Sequence, residues 1–252
     1  MSLLKFKAGS VLLVFGVLLV TAPIPAGVRA QSPAVDEGAT QILQRMTTYL
    51  GNLQQFSVHT QTNFEDELDS GHRVDFDISA AVVVSRPNKV HAERKGDLVD
   101  QAFYYDGKTL TLYNPSEKAF ATEPAPGSIE ETLDFARESL GLIVPVADLI
   151  YRNAFPLLMQ DVTLAVVVGK SAIGGVSCDH LLFSRPGVDF QVWIADSGQP
   201  LPYKYVVTDT GTPSWLSIST TMSDWDVSPS VDDSLFTFTP PEDAKMISFM
   251  PL

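Results

Sequence analysis

Cysteine and positive charge are both scarce in this 252-residue chain. Its one cysteine, Cys178, cannot close an internal disulfide, so packing must hold the fold together. Lys and Arg number 17 against 30 Asp and Glu, a formal net charge of −13. A surface of that sign repels nucleic acid and anionic headgroups, which excludes nucleic acid as a partner. Histidine is rare as well: His59, His72, His91 and His180 are scattered, with none of the close pairs that favour zinc or copper, so no metal is expected. Neither a phosphate-cradling Gly loop nor a repeat of fixed length is present. Long apolar runs are missing except at the start, where Val11 to Val20 is broken only by Gly16.

That opening segment has the form of a signal peptide. Lys5 and Lys7 make a basic n-region, the apolar core is shorter than the roughly 20 residues of a spanning helix, and Val28-Arg29-Ala30 offers a cleavage site. Residues 1–30 are therefore expected to be removed near Ala30, leaving 31–252 as a single exported domain. Lys5, Lys7 and Arg29 would leave with the signal, so 14 basic residues would face 30 acidic ones, a balance of −16. No Cys stands at the cleavage site to take an acyl group, so no stable membrane anchor is expected.

Along the rest of the chain the hydrophobic period changes twice. Ile42, Leu43, Met46, Tyr49, Leu50 and Leu53 fall on one face of a helix within Ala34 to Gln54. From Phe56 the period is two: Phe56, Val58, Thr60 and Phe64 lead into the Asp69-Ser70-Gly71 turn, and Phe76, Ile78, Ala80, Val82 and Val84 return as far as Pro87. Turns at Gly96-Asp97, Asp106-Gly107-Lys108 and Asn114-Pro115-Ser116 then separate strands near Lys89 to Lys95, Asp100 to Tyr105, Thr109 to Tyr113 and Ala119 to Thr122. Ser128 caps a predicted helix with the face Ile129, Leu133, Ala136 and Leu140. Short helices are predicted over Val146 to Tyr151 and Phe155 to Gln160. Five more strands follow, over Thr163 to Ala172, Val176 to Ser184, Val188 to Ala195, Tyr203 to Thr210 and Trp215 to Asp226, with separators short enough for antiparallel pairing.

The fold class is therefore mainly β with α: a curled antiparallel sheet of about ten or eleven strands, an incomplete β-barrel capped by a few helices. Alternating apolar positions make one face wet and the concave face apolar. The helices then either cover a ligand cavity or plug the sheet as an ordinary core. For a cavity the predicted wall is Phe76, Ile78, Val82, Phe103, Tyr105, Leu110, Leu112, Phe190, Val192 and Ile194, with Leu133, Leu149, Ile150, Phe155 and Leu158 as its lid.

Several blocks in order carry a family resemblance: Tyr104 to Tyr113 (YYDGKTLTLY), Ala147 to Tyr151 (ADLIY), Cys178 to Leu181 (CDHL), Asp189 to Ile194 (DFQVWI), Gln199 to Pro202 (QPLP) and Phe236 to Pro241 (FTFTPP). From about residue 35 onward the chain resembles an exported family of predicted periplasmic proteins of unknown function, similar in architecture to the lipoprotein carriers LolA and LolB. The resemblance implies a periplasmic, LolA/LolB-like domain whose cavity binds a lipid, an acyl chain or a lipoprotein. It implies an apolar ligand as partner, an envelope protein as a further partner, and no cofactor. A protein-interaction or stress-sensor domain with a filled core is the alternative. LolA holds its lid with a buried Arg; by location Arg45, Arg137 and Arg152 are the candidates here.

Catalytic readings find little support. Cys178 and His180 share a strand face but stand roughly 6.5–7 Å apart, too far for direct activation of the thiol. A buried thiol and a hydrogen-bonded imidazole are the simpler expectation. Glu65, Asp66, Glu67 and Asp69 read as a solvated hairpin tip, and Asp224 and Asp226 flank Trp225 with nothing to place them in a cleft. Ser197-Gly198 lacks a nucleophile-elbow sequence. No catalytic residue and no enzyme activity are expected.

Overall fold

Asp36 begins the helical layer. Its carboxylate accepts hydrogen bonds from the backbone N–H groups of Gly38 and Ala39 at 2.6 and 3.3 Å and caps helix α1, Glu37–Asn52. The structure, a computed structural model, describes residues 35–97, 99–142 and 146–249. The predicted signal segment, residues 1–30, and the processing site expected near Ala30 lie outside the described residues. Ala39, Leu43, Met46 and Leu50 recur at helical spacing and are buried. Burying each of the three larger side chains contributes about 2 kcal/mol.

Among the described residues twelve strands form one sheet. The first meander runs β1 (Gln55–Glu67), β2 (Arg73–Ser85), β3 (Lys89–Gly96), β4 (Asp100–Tyr105), β5 (Thr109–Asn114) and β6 (Ala119–Pro124). Then come α2 (Ile129–Glu138), α3 (Ala147–Ile150) and α4 (Ala154–Met159), followed by β7 (Leu164–Ile173), β8 (Val176–Arg185), β9 (Val188–Ala195), β10 (Pro202–Asp209) and β11 (Ser217–Asp226), a 3-10 turn at Asp233–Phe236, and β12 (Lys245–Met246). The spatial order is β12-β6-β5-β4-β3-β2-β1-β11-β10-β9-β8-β7. Pairing of β1 with β11 joins the two meanders, while β7 and β12 stay at opposite edges, so the sheet does not close into a barrel.

Two expectations are corrected. The sheet has a twelfth strand, and its pairing with β6 is parallel, Lys245 opposite Ala119 and Met246 opposite Phe120. A two-residue strand has no hydrophobic period to read. It is docked instead by anchors earlier in the tail, since Phe238 packs its ring 5.1–5.2 Å from those of Tyr104, Tyr113 and Phe120 on the outer face. The strand predicted from Trp215 starts at Ser217, because the Gly211-Thr212-Pro213 turn runs on to a Trp215 with positive φ.

Helices cover the concave face in two parts. Under α1 and α4 lies a packed core that includes Leu43, Met46, Leu158, Leu181, Phe183, Phe190 and Val192. Under α2 and α3 lies a second, with Phe56, Val84, Val90, Tyr105, Leu110, Ile129 and Leu133. Gly51 near the end of α1 permits the close crossing of the α3–α4 link, because a Cβ there would stand 2.1 Å from the Arg152 carbonyl oxygen.

Candidate functional site: an apolar cavity under the helices

Hairpin register builds the cavity wall in rows. Phe56 pairs with Val84, Val58 with Val82, Thr60 with Ala80 and Thr62 with Ile78. β3 and β4 extend the first three rows through Val90 and Tyr105, Ala92 and Phe103, and Arg94 and Gln101. Side chains two residues apart share a face, so each row is one step of roughly 6.5–7 Å along the strands. Met222 and Trp225 of β11 close one side; Leu50, Leu133, Leu142, Val146, Leu149 and Ile150 close the top. Between them lies a cavity of about 80 Å³, apolar except for Thr60, Thr62, Arg94 and the Trp225 indole N–H. The Thr62 and Thr220 hydroxyls bond each other at 2.9 Å, and the Trp225 N–H donates to the Pro202 carbonyl at 2.9 Å. A second hollow of about 280 Å³ adjoins it, sharing Leu133, Leu142 and Val146 and reaching Arg137, Asp148 and Tyr205.

Of the predicted wall, Ile78, Val82, Phe103 and Leu112 line the cavity, as do Leu133, Leu149 and Ile150 of the predicted lid. The others lie elsewhere. Tyr105 and Leu110 are buried in the packed end beneath α2, where the Tyr105 hydroxyl donates to the Pro126 carbonyl. Phe190, Val192 and Ile194 pack, with Phe155 and Leu158 of α4, in the core that α1 fills. Phe76 pairs with Phe64 toward the far end of the β1–β2 hairpin and does not border the cavity. Sequence reasoning left out Phe56 and Val58, although their alternation was plain. The Asp69–Gly71 turn sets partners whose numbers sum to 140, which places Val58 beside Val82.

The buried arginine that ties the helices down is Arg86. Arg45 and Arg152 are exposed, and Arg137 makes a surface pair with Asp134 at 2.6 Å, so none of the three is buried. The Arg86 side chain is only 1% exposed. One Nη donates to the Ile150 carbonyl at the end of α3, and the other lies 3.5 Å from Glu130 in α2. Glu130 also accepts the Arg152 backbone N–H at 2.8 Å. Burial lowers the Arg86 pKa, with Glu130 acting in the opposite direction. Arg94, on the cavity wall, is likewise lowered by burial and donates to Gln101 Oε1 at 2.5 Å. Both guanidiniums stay charged.

Groups weighed for catalysis are spread apart. Cys178 is buried, its Sγ 3.4 Å from the Val176 carbonyl oxygen, and burial pushes the thiol up, away from the reactive thiolate. His180 bonds Gln191 at 2.8 Å and stacks on Trp193. Asp224 pairs with His59 in an open polar hollow on the outer face. Among the described residues no three His, Cys, Asp or Glu side chains are grouped to hold a metal ion, and no helix there is long and apolar enough to cross a membrane.

No curated protein matches the sequence. Solved structures similar to the chain include an uncharacterized conserved protein from Thermus thermophilus, with 12% identity, TM-score 0.49, and 84% of this chain and 99% of that one covered. LprF from Mycobacterium bovis shows 15% identity and TM-score 0.49, over 85% of this chain and all of that one. A LolA superfamily protein from Nitrosomonas europaea shows 14% identity and TM-score 0.38, over 79% and 97% of the two chains. The family described as "Predicted periplasmic protein (DUF2092)" matches residues 39–250, and the chain belongs to it.

Proposed function

We propose that the protein is a periplasmic carrier or binding protein that shields an apolar ligand, whether a lipid, an acyl chain or an acylated protein segment, without covalent chemistry. The apolar cavity between the strand rows and the helices supports this reading. The volume of that cavity bears on how a ligand would enter. About 80 Å³ is less than the roughly 150 Å³ of an engineered cavity that takes up benzene, and ligand sites usually span about 300–1,000 Å³. Uptake therefore requires α2 and α3 to lift so that the cavity joins the neighbouring 280 Å³ hollow. Removing a few hundred Å² of acyl chain from water supplies several kcal/mol at about 25 cal/mol per Å², before the costs of binding and opening. In this reading the exported chain loses residues 1–30 and works as one domain, 31–252.

The same small volume favours one other reading, an envelope protein-interaction or sensor domain whose interior is simply filled. Titration with the uncharged fluorophore N-phenyl-1-naphthylamine separates the two. The carrier reading expects saturable uptake of about one probe per chain, with emission shifted to the blue. Emission that does not saturate, or no enhancement at all, contradicts it.

A further inference from the structure

One row of the concave wall carries hydroxyls. Tyr205, Thr220 and Thr62 are register partners on β10, β11 and β1, so they stand side by side at about 5 Å from strand to strand. The next row toward the hairpin tip, Val207–Ile218–Phe64, is apolar. All three hydroxyl residues are buried, Tyr205 at 6% exposure, and a buried polar group without a partner asks for a reason. Thr62 and Thr220 bond each other at 2.9 Å, which uses one of their two O–H donors and leaves the other. Among the described residues the Tyr205 hydroxyl has no hydrogen-bond partner at all. Tyr205 and Thr220 border the 280 Å³ hollow while Thr62 borders the 80 Å³ cavity, so the row lies where the two adjoin. Building on the carrier reading, we propose that the occupant is an acyl chain ending in an uncharged ester, whose carbonyl accepts a hydrogen bond from Tyr205. Its hydrocarbon runs from the hydroxyl row toward Val58 and Phe56, the latter six residues along β1, roughly 20 Å.

Three observations bear on the chemistry. A buried O–H donor is complemented by an acceptor, and an ester carbonyl is an acceptor with no proton of its own to place. Burial raises the Tyr205 phenol above its ordinary range, with Asp148 adding to the effect, so the group keeps its proton and donates at neutral pH. A carboxylate suits the hollow less well. Arg137 on its border is paired with Asp134 at 2.6 Å and stands 3.7 Å from Asp148, so an entering anion would meet two acids for one guanidinium. The hollow's volume suits a compact alcohol portion rather than a protein segment.

The test titrates the full chain by fluorescence with methyl cis-parinarate, with cis-parinaric acid, and with N-phenyl-1-naphthylamine, which has no carbonyl. Tyr205→Phe keeps the ring and removes the hydroxyl. It should weaken the methyl ester about 3- to 10-fold, the range for one neutral hydrogen bond, and leave N-phenyl-1-naphthylamine within about twofold of wild type. The acid should bind the wild type no more tightly than the ester. Infrared spectroscopy of bound ester with an isotope-labelled carbonyl reads the contact itself: the stretch should lie below its frequency in hydrocarbon solvent and move back up in Tyr205→Phe. A wild-type stretch at the hydrocarbon-solvent frequency would overturn the inference and leave the carrier reading standing, and that measurement needs no variant to fold. An unmoved stretch in a folded Tyr205→Phe would also overturn it. Equal weakening of the ester and N-phenyl-1-naphthylamine would do the same, making Tyr205 a structural residue, and tighter binding of the acid would overturn the choice of an uncharged ester. Failure of every probe to bind the wild type would overturn the carrier reading itself, and the inference with it.

Discussion

Arg86 sits where a strand end, α2 and α3 meet, and its fork is the polar tie between them. Replacing it with Met leaves Glu130 with the Arg152 N–H and the Ile150 carbonyl without its donor. Removing one partner of a fully buried pair costs about 3–5 kcal/mol, and Glu130 is partly exposed, so Arg86→Met should cost about 2–3 kcal/mol in urea unfolding. A loss under about 0.5 kcal/mol would show that the helices are held by apolar packing alone. Tyr205 yields a pH prediction. Burial raises its phenol above the ordinary value, with Asp148 adding to the effect. The folded protein thus keeps a proton that the unfolded chain releases near pH 10. The stabilisation is full below about pH 10 and is lost as pH rises through the higher folded value. Tyr205→Phe should reduce the fall of stability above about pH 10 by up to about 1.4 kcal/mol per pH unit, read from urea titrations at stepped pH. An unchanged slope would contradict that. Neither arginine was legible as what it is. Arg86 follows the last residue of β2, next to Pro87, and only the three-dimensional path of the helices brings Ile150 to it; Arg94 alternates in phase with Val90 and Ala92, but an Arg on a strand reads as solvated until its row is known.

Among the elements, strands were far more legible than the helices' positions. β4 and β9 occupy the predicted spans, and most other strands end within a residue or two, because turn residues and period-two alternation both mark them. The Ser128 cap of α2 was also visible, its hydroxyl accepting from the Glu131 N–H. Which concave positions α1 would fill was not visible, since that depends on where the helix crosses the sheet. Hence Val192 and Phe190 belong to a packed core although their alternation matches that of Val82 and Phe103. The difference can be measured. Leu133→Gln in α2 and Val192→Gln in β9 each bury an amide, at sites 3% and 0% exposed. Val192→Gln is expected to cost about 3 kcal/mol and Leu133→Gln about 1–2 kcal/mol, because a helix that lifts can let the amide reach water. N-phenyl-1-naphthylamine uptake should fall further in Leu133→Gln than its stability loss accounts for. Equal destabilisation at both sites with unchanged uptake would make α2 a fixed part of the core.

At the scale of the whole molecule, a sheet of twelve strands stays open between β7 and β12 and is capped on its concave side by two helical groups, one packed tightly and one over a cavity. The curled, helix-capped sheet followed from the count and spacing of strands. The cavity volume did not, because it is a small difference between a large concave surface and the side chains that fill it. The central claim is that this interior opens to take an apolar molecule, and native mass spectrometry of the protein, purified from its native host without detergent, tests it most directly. The account predicts a protein ion carrying one adduct of lipid or acyl-chain mass, released when the sample is denatured and extracted into organic solvent. A bare protein ion after gentle purification, together with a co-purifying protein partner in fixed ratio, would contradict it and leave the filled-core interaction domain as the better description.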